Sequence, residues 1–386
     1  MADLIERSAE LKGRLVVFAQ SARFDRWLTP LLLEAAGPER QLDEGEAIRI
    51  TDHFILRYRL PDGSTVVDRF VDGRKDLTAA DRELLLGWRD PVEGVFEIRR
   101  KDGDAVVLLD LVSDLEYRTY SNAGRAAFRG VSEGGFLHAC LVPVQSAGGA
   151  WLVSGAMSYH PGSSATDVAQ AALALATSRP ELVFRNPRKI EQGWQQMRED
   201  RAAFVEFCGG DELVLPPAEA EDLLNAYYRH RQQATVAAQP SRARRKRLPG
   251  LDLPFFELPS ELADSETVGL IYDQVDGLNF YADYGMLRDL FAEPALTDRG
   301  RHQDLLRTYL REESITPLPI HRLVAAHPET ADAVFRKLLR KPGFAWSEHG
   351  ETLLRRRKPW YYASAPRPGV SVIGDRLSEL LSAGRR

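Results

Sequence analysis

A chain of 386 residues exceeds what a single hydrophobic core usually serves, so two to four domains are expected. Its hydrophobic content of 44% is that of folded protein, and a formal charge of −5 excludes the generic electrostatic affinity of a nucleic-acid or anionic-membrane binder while leaving room for a local basic patch. The two cysteines, Cys140 and Cys208, have no neighbouring Cys or His at metal-ligand spacing, and Cys140, inside an apolar strand, reads as a small buried hydrophobe. The first residues lack the basic and apolar regions of a leader, and no apolar run approaches the ~18 residues of a bilayer span. A cytoplasmic protein with no membrane partner is expected.

In chain order, apolar periodicity predicts helices over about 2–20 and 24–36, the second ended by Gly37-Pro38. From Ala47 to Val71 the pattern becomes an alternation, Ile48, Ile50, Phe54, Leu56, Tyr58 and Leu60. A Pro61-Asp62-Gly63 turn and the return positions Thr65 and Val67 then predict a hairpin. Thr78, with Asp81 three residues on, opens a helix through Leu84, Leu85 and Leu86 that Pro91 bars from continuing. Trp88 closes that helix and is expected to be a buried plug.

Between Gly94 and His160, five short segments rich in β-branched and aromatic residues are separated by glycine-containing turns. They are 95–98, 105–109, 116–120, 136–142 and 150–154, and they predict a small antiparallel β-barrel. Helices follow over 165–176 and 187–207, then a short strand or extended link at 212–215 and a helix opened by Pro216-Pro217. Residues 233–254 carry Arg242, Arg244, Arg245, Lys246 and Arg247 and read as a basic flexible linker. Beyond it, helices are predicted at 267–273, 284–291, 299–311, 320–326, 330–339 and 348–356. The expected architecture is α+β: an N-terminal helical segment (1–45), a hairpin, helix and barrel domain (46–162), a helical appendage (163–232), the linker, and an all-helical C-terminal domain (255–386).

Motifs for chemistry are few. Gly130-Val131-Ser132-Glu133-Gly134 fits a nucleophile elbow, but that motif needs a following helix and the next residues read as a strand, so Ser132 is a turn residue. Asp110, Asp114 and Glu116 could feed a hard cation, although loops carry acids simply because they are solvated. Tyr227 to Arg231 mixes aromatic and basic groups at a helix end, where packing and the helix dipole account for them. The scattered His321, His327 and His349 read as satisfied surface residues. No phosphate-cradling glycine loop, His-Glu-x-x-His or Cys-x-x-Cys occurs, and neither a cofactor nor a metal is expected. The densest local signal is Arg355, Arg356, Arg357 and Lys358 beside Trp360 and Tyr361, the mixture that phosphate contact and base stacking would use.

The segment Leu77-Thr78-Ala79-Ala80-Asp81-Arg82-Glu83-Leu84-Leu85-Leu86-Gly87-Trp88-Arg89-Asp90, followed by Gly94-Val95-Phe96-Glu97-Ile98, resembles the stretch leading into the barrel of a family of uncharacterised, mainly actinobacterial proteins. Phe184-Arg185-Asn186-Pro187 and Phe204-Val205-Glu206-Phe207 continue the resemblance over roughly Leu77 to Arg231. Some relatives with such a barrel carry a Cys-rich SEC-C zinc motif, which this chain lacks; the resemblance implies a fold and no reaction. The function expected is that of a non-catalytic binding or regulatory protein, docking a protein or a nucleic acid through the barrel and the basic aromatic patch. The alternative is an enzyme of hydrolase or nuclease type, with carboxylates and histidines assembled between domains.

Overall fold

The computed structural model describes residues 2–37, 42–144, 149–238 and 256–384. It is a mixed α and β structure of two compact units, one formed by residues 1–190 with 371–386 and the other by 191–370.

The first unit begins with helices α1 (Ala2–Ala19), α2 (Asp25–Ala36), α3 (Glu44–Leu56), α4 (Val66–Asp72) and α5 (Ala79–Gly87). The hairpin expected over 47–71 is thus corrected to two helices. The local reason is capping: Asp43 accepts the Glu46 N–H at 2.7 Å, and Thr65 and Asp68 form a reciprocal capping box. Val66, Val67, Phe70 and Val71 then fall on one buried helical face. The Pro61-Asp62-Gly63 turn does form, with Gly63 at φ +80°, but it joins helices.

The five expected strands are present as β1 (Val92–Asp102), β2 (Ala105–Asp110), β3 (Glu116–Tyr120), β4 (Phe136–Pro143) and β5 (Trp151–His160). Their pairings run β1-β2-β3-β5-β4 and return to β1, so every strand has two partners and no edge is left unpaired. All junctions are antiparallel except β3–β5, a parallel seam carried by Thr119↔Trp151 and Tyr120↔Leu152. Phe96, Ile98, Val106, Leu108, Tyr117, Leu137, Leu141 and Val153 form the interior core. A second core packs α1 to α5 on the sheet and includes Leu11, Phe54, Phe70, Leu85 and Trp88.

A third core joins Val95 and Phe136 to α6 (Ala165–Ser178) and to the C-terminal helix Asp375–Ala383. That last helix, unannounced in the sequence, is fixed by Arg376, whose guanidinium makes bonds of 3.0 and 2.9 Å to both oxygens of the buried Glu97.

The carboxylates Asp110, Asp114 and Glu116 point apart. Asp110 is 2% exposed and accepts from the Val112 and Ser113 amides, Asp114 pairs with Lys189 at 2.9 Å, and Glu116 is exposed. No group of three or more metal-ligating side chains forms among the described residues. Burial pushes the Asp110 carboxyl up to about 6, against the hydrogen bonds that pull it down. Because that value lies above the unfolded-state value, the stability it lends is fully present below about pH 4 and is lost as pH rises through about 6. The span is worth about 3 kcal/mol. Urea midpoints measured at both ends of this window should therefore converge in Asp110→Asn, and an unaltered pH dependence would show that Asp110 does not carry it.

In the second unit, helix α7 (Pro187–Cys208) leads to a three-stranded antiparallel sheet, β6 (Glu212–Leu215), β7 (Val268–Asp273) and β8 (Gly277–Ala282), in the order β6-β7-β8. The helix expected at 267–273 is therefore a strand, and the C-terminal region is not all helical. Gly269 is needed there because any Cβ would lie 2.6 Å from Tyr284. Around the sheet pack α8 (Pro217–Ala238), α9 (Ser260–Ala263), α10 (Tyr284–Ala292), α11 (Gly300–Arg311), α12 (Leu318–Ala326), α13 (Pro328–Leu339) and α14 (Trp346–Arg357). Of the expected linker, 233–238 belongs to α8 and 239–254 lies outside the described residues. The strands on either side of those residues in the chain, β6 and β7, pair with each other and both belong to the second unit.

Candidate functional site

The outer face of β1, β4 and β5 carries an uncommon density of polar groups. Cross-strand register sets Glu93 opposite Cys140, Val95 opposite His138, and His138 opposite Ser158, so these side chains share one face. The other face of the same strands fills the apolar interior. Two helical layers cover parts of the outer face, and the uncovered strip holds the site.

On one side, Lys12 of α1, Asp52 of α3 and Ser154 of β5 form a closed triangle. The Lys12 ammonium lies 2.7 Å from Asp52 Oδ1 and donates to Ser154 Oγ at 2.8 Å, while the Ser154 hydroxyl donates to Asp52 Oδ2 at 2.7 Å. Asp52 and Ser154 are 5% and 4% exposed. The backbone makes room for it: Gly155 has φ +71°, and a Cβ there would collide with Asp52 Oδ2. A serine beside a lysine suggests nucleophilic chemistry, but the proton that general-base use of Lys12 would require it to release is engaged by a carboxylate. The triangle is a clamp between helices and sheet.

Next to it lies a cavity of about 20 Å³, room for a single water, bordered by His53, Arg57, Glu93, His138, Cys140 and Ser154. Arg179 donates to Glu93 at 2.7 Å, and the Arg57 Nε is 3.8 Å from the same carboxylate. Burial raises the Glu93 carboxyl, but Arg179 and Arg57 outweigh it and hold the group below its ordinary value. Burial lowers His53 and His138, and pushes the Cys140 thiol up to about 12. Two guanidinium nitrogens, Arg57 Nε and Arg179 Nη2, are buried with no hydrogen-bond partner.

His138 also borders a much larger groove of about 690 Å³ between the sheet and α6. Val95, Val168, Ala171, Ala174 and Leu175 wall it, with His160, Ser164 and Asp167 among its polar groups. An apolar trough and a small polar cavity, lined by Arg49 and Arg57 together with Asp52 and Glu93, thus share one imidazole as a border. None of these residues stands out in the sequence, apart from Cys140 as a buried thiol, because they come from four separated segments and meet only across strands.

The basic aromatic cluster lies in the second unit. Arg355, Arg356 and Arg357 are exposed at the end of α14, and Trp360 is 38% exposed. Arg355 stands 4.4 Å over the Tyr362 ring and 3.1 Å from Glu351. Lys358 is 1% exposed, its ammonium donates to the Glu312 carbonyl, and burial lowers it to about 8. The Tyr361 hydroxyl donates to Asp276 at 3.0 Å. The fold therefore leaves the three arginines and Trp360 on the surface and engages Lys358 and Tyr361 internally. Ser132 sits exposed in a turn running into β4, with no helix after it. His321 faces Glu351 at 3.4 Å, while His349 contacts the backbone of Ala345.

No helix among the described residues is long and apolar enough to cross a membrane. Comparison of the chain with protein-family models, with curated proteins and with solved structures finds no match.

Proposed function

We propose that the chain is a non-catalytic binding protein, and that its first unit holds a small ligand with an apolar body and an anionic end. The observation that carries this reading is that His138 borders both the groove along α6 and the cavity lined by Arg57, whose buried Nε stands unpartnered. A trough of this volume with few polar groups suits a small molecule, and buried donors without acceptors are satisfied by an oxyanion. On this reading the closed cycle of strand pairings behaves as a small β-barrel, as the resemblance to the actinobacterial family implies, and serves as a rigid wall.

An enzyme is the alternative. Its candidates in the first unit would be His53, His138 and Glu93, which border one cavity. A second docking surface, for nucleic acid, is supported by the exposed Arg355, Arg356, Arg357 and Trp360.

Calorimetric titration with decanoate and with decanol tests the proposal. Decanoate should bind and decanol should bind at least about tenfold more weakly, since a charge-assisted hydrogen bond is lost. Arg57→Gln should remove that preference, and Ala174→Trp, which fills the groove from an exposed position, should abolish binding of both. Equal affinity for the acid and the alcohol, or no binding, would overturn the reading.

A further inference from the structure

A second cavity in the first unit, about 370 Å³ in volume, opens at the β1–β2 turn, remote in sequence from α6. Lys101, Arg125 and Arg129 border it together with Gly103, Val106 and Phe128, and no carboxylate does. We propose that these three cations form a binding site for a phosphoryl group.

Three features support it. First, like charges that share a cavity repel one another and are ordinarily interleaved with acids; here the nearby acids are engaged or turned outward. Asp102 pairs with Arg118 at 2.7 Å, Glu133 accepts the Lys101 backbone N–H at 3.1 Å, and Asp104 is exposed in the turn. Second, neither Arg125 nor Arg129 has an ion-pair partner among the described residues, so two guanidinium forks remain available for bidentate contact. Third, Lys101 is already positioned: its ammonium donates to the Phe128 carbonyl at 3.2 Å and keeps its remaining donors for a ligand. The 3-10 turn Gly124–Phe128 places Arg125 within it and Arg129 at its end, while the buried Phe128, Ala105 and Val106 give the cavity an apolar floor. A phosphoryl group bearing an apolar substituent fits that combination, whether free in a small molecule or in a nucleic-acid backbone.

The test uses the full chain, titrated at low ionic strength with inorganic pyrophosphate and, separately, with a short thymidine oligonucleotide. Both should bind, more weakly as salt is added, and Arg125→Gln/Arg129→Gln should weaken both by about tenfold or more. Arg23→Gln/Arg26→Gln, an equal change of charge elsewhere in the first unit, should leave binding unaltered. Pyrophosphate binding at least as tight as the oligonucleotide identifies a free phosphoryl ligand, and tighter oligonucleotide binding identifies a backbone phosphate. Absence of binding by both, or equal binding in the double variant and wild type, would overturn the proposal. Decanoate binding should be unaffected in the double variant, which separates this site from the groove.

Discussion

Trp88→Ala should destabilise the first unit by about 3–5 kcal/mol, as truncation of large aromatic side chains in cores does. Trp88 is 1% exposed, packs in the core shared by α1 to α5 and the sheet, and donates its indole N–H to the Pro143 carbonyl at 3.2 Å. Alanine would leave a cavity and an unsatisfied carbonyl at the junction of α5 with β4, two penalties from one substitution. The urea midpoint should fall accordingly, and an unchanged midpoint would place the indole outside the core.

A comparable loss is expected for Asp52→Ala. The Lys12 side chain is 12% exposed, so removing its counter-ion strands an ammonium in a desolvated place, which costs about 3–5 kcal/mol when the partner of a buried pair is deleted. The double variant Asp52→Ala/Lys12→Met removes the charge as well as the pair and should recover a large part of the loss. A double-mutant cycle decides it: additive effects of the two substitutions would show that the triangle does not act as a unit.

The legibility of these features follows from the range of the interactions that make them. The five strands of the first unit were readable because their turns are local: Gly103 at φ +64° and Gly134 at φ +76° announce themselves in sequence. The misreading at 47–71 has an equally local source. Ile48, Ile50, Phe54, Leu56, Tyr58 and Leu60 happen to alternate, while the Thr65–Asp68 capping box, a helix signal, carried the deciding information. At 267–273 a short apolar run fits either period, and only pairing with Leu213 and Phe280 across Leu270 makes it a strand. Burial of Trp88 was foreseeable from its neighbours, whereas Cys140, read as a buried hydrophobe, is only half-buried. The Lys12–Asp52–Ser154 triangle was not foreseeable, because Asp52 and Ser154 are 102 positions apart and Lys12 and Ser154 are 142 apart. Polar residues spaced so widely leave no pattern along the chain. Lys358 illustrates the converse, a cation that the sequence groups with candidate phosphate contacts and that the fold encloses.

The proposed binding site beside His138 is tested most directly by following the histidine imidazole resonances while decanoate is added. His138 borders both spaces, so its signals should shift in a saturable manner, with the shift abolished in Ala174→Trp. His321, in the second unit, should stay fixed. An unmoved His138 at saturating decanoate, or equal movement of His321, would contradict the account.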